Sequence, residues 1–194
     1  MEFEDHPLWS FTIEAHRHSG VHEACMALQV NHEIDVNFLF WCCWAGAMGA
    51  PSLDEIQMES AMDAVGQWQR EIVRPVWRAR WKLKPSYGSF PEDLTEALRQ
   101  QLIAAELNAE HIGMLHLARA VKIPIDTGLS TWDKASHAAS NLKLYLSHHF
   151  VREHTKGSST VSQNPIPKDI QDPLSAVLCA CFPELNRDEV LSLL

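Results

Sequence analysis

Glu106 and Glu110 stand four residues apart, a spacing that puts two carboxylates on one helix face where both could offer oxygens to a metal. Upstream, Arg70, Arg74, Arg78 and Lys82 also follow at steps of four, with Trp77 and Trp81 as a parallel aromatic pair beside them. Such a face can hold an external anion: a phosphorylated metabolite, a nucleic-acid backbone or an acidic protein surface. Glu14, His18 and His22 form a weaker constellation with metal-ligand spacing, interrupted by Ser19-Gly20, where a helix is expected to break. A ferritin-like di-iron bundle needs two Glu-x-x-His motifs, and neither Glu14 nor Glu110 has a histidine in that register. Cys25 follows His22 by one turn, but it belongs to an apolar stripe and reads as a buried thiol rather than a nucleophile. Cys179-x-Cys181 has no second ligand pair of matching spacing. No nucleophile elbow, phosphate loop or dinucleotide fingerprint is present.

The arginines also have a structural reading. A short turn near residue 88 would set the helix bearing them antiparallel to the next one, pairing Arg70 with Glu106, Arg80 with Glu96 and Lys84 with Glu92. That register leaves Arg74 and Arg78 opposite leucines, so Arg74, Trp77, Arg78 and Trp81 become the candidate anion- or partner-binding face.

The window from Trp68 to Lys84 holds six basic residues against one acid, a local +5 that leaves −14 for the rest of a 194-residue chain whose total is −9. The global charge argues against a dedicated nucleic-acid binder. Five cysteines, an odd number with one adjacent pair, and an acidic N-terminus suggest reduced thiols in the cytoplasm. The uncharged run from Val36 to Leu53 contains two glycines and a proline and reads as a buried helix, not a membrane span.

The elements that must position these residues are all helical, since no stretch alternates with a strand's period. An all-α bundle of about six helices over residues 1–156 is expected. A flexible linker over 157–172 and a short C-terminal helical hairpin over 173–194 follow. Asp35 is placed to cap the third helix and Asn31 to end the second. Ser52-x-x-Glu55 and Ser89-x-x-Glu92 read as capping boxes for the fourth and fifth, and Ser130 with Asp133 caps the sixth. Asn186-x-x-Glu189 opens the last helix. Pro75 should kink the fourth helix. The fifth carries two apolar seams, one from Leu98 to Ile112 and one from Ile103 to Val121, which predicts packing on two neighbours.

Leu8-Trp9, Gly20-Val21, Cys25, Leu28-Gln29, Asp35-Val36-Asn37, Trp44, Trp68, Val73-x-Pro75, Arg78-x-Arg80, Lys84 and Glu106-x-x-x-Glu110 recur in that order in a known group. Over about residues 8–120 the chain resembles an uncharacterised proteobacterial family of small helical proteins, a domain of unknown function. The resemblance implies a bacterial, cytoplasmic helical protein and carries no activity with it. The leading expectation is a non-enzymatic interaction or regulatory protein without a cofactor, binding a protein partner or a second copy. A small anionic ligand is a further possibility. The alternative is a small-molecule or metal-dependent enzyme with its site near Glu106, Glu110 and the neighbouring arginines.

Overall fold

The computed structural model describes residues 4–84, 87–154 and 166–194. It is all-helical. In chain order the elements are α1 (Pro7–His16), α2 (Val21–His32), α3 (Val36–Ala47), α4 (Glu55–Trp68), a π turn (Gln69–Val73), α5 (Arg74–Lys82), α6 (Glu92–Ala120), α7 (Thr131–His154), α8 (Lys168–Cys181) and α9 (Arg187–Leu193). No strand occurs among the described residues.

The centre is α3, whose residues are buried from Phe38 through Gly46. A helix apolar on every side needs neighbours on every side. Its main partner is α7, reached at a very short separation. A Cβ added at Gly46 would lie 2.6 Å from the Ala138 amide nitrogen, and Ala135, Ala138 and Ala139 are fully buried opposite. Asn141 of α7 ties the seam together, accepting from the Leu53 amide at 2.8 Å and donating to the Cys42 carbonyl at 3.3 Å.

Local signals set most boundaries. Gly20 adopts φ +83 between α1 and α2, a turn that a side chain would strain. The Asp35 carboxylate accepts from the Asn37 and Phe38 amides at the start of α3. Ser130 caps α7, and the Asn186–Glu189 box opens α9.

Other boundaries differ from expectation. α2 ends on Glu33, not Asn31, and Glu33 is left-handed at φ +53. The box that opens α4 is Asp54 with Gln57, two residues beyond Ser52-x-x-Glu55. Before α6 the N-cap position is Pro91 with no side-chain cap, so Ser89 does not serve.

The kink predicted at Pro75 takes the form of the π turn. Proline has no N–H to give the carbonyl four residues back, and its ring crowds that carbonyl. One wide turn immediately before Pro75 relieves both problems.

The C-terminal helices are not a separate unit. Ile170, Leu174, Val177, Leu178 and Val190 are buried in the same core as α1, α2 and α3. α8 begins at Lys168, so residues 168–172 of the expected linker are helical, and Pro173 lies inside that helix. Residues 157–165 of the linker lie outside the described residues.

Candidate functional site

The α5–α6 hairpin differs from the rest of the molecule. α5 contributes no buried residue. α6 contributes none before Glu106. The antiparallel register is displaced by ten residues from the expected one: Arg80, not Arg70, takes Glu106. Arg80 Nη2 donates to Oε1 at 2.9 Å and Nε donates to Oε2. The connection from Leu83 to Pro91 is longer than a tight turn, so the first three turns of α6 project beyond the end of α5.

The remaining expected pairs change accordingly. Glu96 is gripped by Arg99 within α6, at 2.8 Å through Nη2, which holds its carboxyl down at about 2. Lys84 lies over the Trp81 ring at 5.6 Å instead of meeting Glu92. Neither Glu92 nor Arg70 has an ion pair among the described residues. Of the two apolar seams of α6, the first is largely open: Leu98 is 47% exposed and Ile112 39%.

Arg74 has an acid after all, supplied by another element. Its Nη1 donates to the Glu33 carboxylate at 2.9 Å and its Nη2 to the Glu33 carbonyl at 2.6 Å. Arg78 is exposed with no ion pair among the described residues. Trp77 is half-buried and stacks on the more exposed Trp81, with centroids 5.8 Å apart and planes at 16°. The four candidate residues therefore divide. Arg74, Trp77 and Arg78 line a cleft of about 240 Å³, and Trp81 faces outward toward the hairpin tip.

That cleft lies between the end of α2, the π turn, α5 and α6, and Glu110 lines it. Burial, and after it Glu106 and Asp35, push the Glu110 carboxyl up to about 7, against the pull of a hydrogen bond from Asn37 and of Arg80. Asp35 is raised to about 6 by burial, against its two backbone hydrogen bonds and Arg74. The Tyr145 hydroxyl accepts from the Asp35 amide at 3.1 Å, and burial pushes that phenol up as well. Gln69 and Arg74 also line a second cleft, of about 350 Å³, with Arg70, Asp35 and Tyr145. Gln69 belongs to the π turn, a distortion often found at functional sites.

Glu33, Asp35, Gln69 and Asn37 joined this region without being candidates for it. Asp35 was legible only as a cap. Glu33 carried no signal, because its contact with Arg74 spans 41 residues of chain.

The other constellations separate. Gly20 breaks the helix between His18 and His22, both exposed, and Glu14 pairs with Arg17 at 2.6 Å. Cys25 is buried, with its thiol pushed up to about 12, so it supplies no thiolate at neutral pH. Among the described residues no group of three or more histidine, cysteine, aspartate or glutamate side chains is arranged to hold a metal ion. No helix among them is long and apolar enough to cross a membrane.

Fold and site together define an all-α protein with one core and a projecting basic, aromatic hairpin rooted over a polar cleft. The chain belongs to the family of proteins of unknown function designated DUF2390, whose sequence pattern matches residues 7–117. That match spans α1 through most of α6, including the arginine–glutamate root of the hairpin. No curated protein matches the chain, and no solved structure does.

Proposed function

We propose that this is a non-enzymatic interaction protein that docks an acidic protein partner on the projecting tip of the α5–α6 hairpin. The observation that carries the reading is the standing of that hairpin clear of the core, with Trp81, Tyr87, Phe90, Leu94 and Leu98 exposed. Fully burying one such side chain contributes about 1.5–3 kcal/mol, and apolar groups gathered on one projection mark a contact surface. Tyr87 and Phe90 pack their rings 5.9 Å apart, and Leu94 and Leu98 share one face of α6.

Charge specifies the partner. Arg78 and Lys82 on α5, and Lys84 just beyond its end, are exposed without an ion pair among the described residues. An acidic surface with apolar anchors complements them. The −9 total disfavours an extended polyanion such as nucleic acid. Five unpaired thiols support a cytoplasmic setting. Catalysis at Glu106 is less well supported, because Arg80 occupies both of its oxygens.

The test is sedimentation of the purified native assembly, comparing wild type with a Trp81→Asp, Leu98→Asp variant. The reading predicts an assembly with a partner that the variant loses while its helical content stays unchanged. An assembly unaffected by the variant contradicts it, and a wild-type species containing only this chain assigns the face to a second copy instead.

A further inference from the structure

The cleft between α2, the π turn, α5 and α6 shares Arg78 with the docking surface and adds a chemistry of its own. Arg74 is neutralised by Glu33 and Arg80 by Glu106, which leaves Arg78 as the uncompensated cation lining the cleft among the described residues. Glu110 of α6 lines the same space, and Gln69 adds a side-chain amide. Ile34, Val73 and the face of Trp77 supply apolar wall. The Trp77 indole N–H is shielded from solvent and has no acceptor among the described residues. At about 240 Å³ the space is smaller than the roughly 300–1,000 Å³ of drug-sized pockets, which suits a small metabolite.

We infer that this cleft binds a small monocarboxylate with a flat apolar body, its carboxylate held by Arg78 and Glu110 and its body against Trp77 and Val73. A guanidinium offers a planar fork matched to a carboxylate. A protonated glutamic acid donates one hydrogen bond to the carboxylate's second oxygen. A phosphate dianion fits less well. Its second charge would enter a neighbourhood already containing Glu33, Asp35 and Glu106, with one free guanidinium to meet it.

Glu110 makes this site pH-dependent. The groups that act on it are Glu106 on its own helix, Asp35 and Asn37 at the start of α3, Arg80 of α5 and Cys25 of α2. Burial and the two carboxylates outweigh Asn37 and Arg80, so its proton leaves at about 7. Below that, it donates to the ligand. Above it, a second carboxylate repels the ligand.

Tryptophan fluorescence titrated with benzoate and cinnamate, both ionised throughout the range used, tests the site. Wild type should bind saturably, with benzamide and phenyl phosphate at least about tenfold weaker. Between about pH 6 and about pH 8 the wild-type affinity should fall roughly tenfold, as expected when one protonated group is required. Glu110→Gln should bind at both pH values alike, and Arg78→Ala should lose about tenfold in affinity with thermal unfolding unchanged. The absence of saturable binding by either carboxylate, equal binding of benzamide, or a pH dependence that persists in Glu110→Gln overturns the inference. The benzamide, pH and Glu110→Gln readouts involve no residue of the docking surface, so the site and the docking surface can fail separately.

Discussion

One guanidinium, that of Arg74, holds both the carboxylate of Glu33 at 2.9 Å and its main-chain carbonyl at 2.6 Å. Glu33 is the one non-glycine among the described residues with positive φ, at +53. A left-handed residue costs roughly 1–2 kcal/mol unless it is glycine, and here the arginine caps the end of α2 while fixing the base of α5.

This geometry ranks three variants. Glu33→Gly should cost least, because relief of backbone strain offsets the loss of an exposed ion pair worth about 1 kcal/mol or less. Glu33→Ala loses the pair without that relief. Arg74→Ala loses the carboxylate and the carbonyl bond together and should cost most, about 1–2 kcal/mol. Urea unfolding of the three variants checks the order.

The Arg80–Glu106 pair is more deeply placed, with side-chain exposures of 19% and 10%. Removing one partner leaves a charge in a poorly solvated position. Arg80→Met or Glu106→Leu alone should therefore destabilise by about 3 kcal/mol, while the double variant recovers most of that loss. A double-mutant cycle in urea measures the coupling.

Glu110 predicts a pH dependence of folding as well as of binding. Its carboxyl is raised from the usual value to about 7, so between about pH 4.5 and about pH 7 the folded state holds a proton that the unfolded state has lost. Stability from this group is therefore greatest at the acid end, falls as pH rises through that window, and is level above it. Glu110→Gln should match wild type near pH 4 and exceed it by about 1–2 kcal/mol near pH 8, a figure reduced for partial exposure. Thermal or urea unfolding at the two pH values reads the difference.

The C-terminal helices give a prediction of the opposite kind to the hairpin. Leu178 of α8 is fully buried against the bundle, so Leu178→Ala should cost about 2–5 kcal/mol. Leu94→Ser and Leu98→Ser, at the exposed tip, should each stay within about 0.5 kcal/mol of wild type. Parallel melts of the three variants make the comparison.

The parts of this structure visible in the sequence are those decided within a few residues. Asp35, Ser130 and Asn186 cap as their types demand, Gly20 turns the chain, and Phe38 to Ala45 announce a central helix by being apolar on every side. The hairpin register was not visible, because it depends on how far the chain runs between Leu83 and Pro91 before α6 begins. A short connection sets Glu106 against Arg70 and makes Leu98 part of a packed seam, whereas the longer one leaves Leu98 exposed. The Glu33 contact was invisible for a related reason: nothing near Arg74 in sequence identifies an acid 41 residues earlier.

If the tip of α6 docks an acidic protein, a photo-cross-linking amino acid placed at position 94 in the living cell captures that protein. One discrete adduct with another protein is expected, lost when Arg78→Glu and Lys82→Glu reverse the charge beside it, and absent when the probe replaces Ile56, which is more open still at 79% exposure against 64% for Leu94. No adduct at position 94, or the same adduct from position 56, contradicts it.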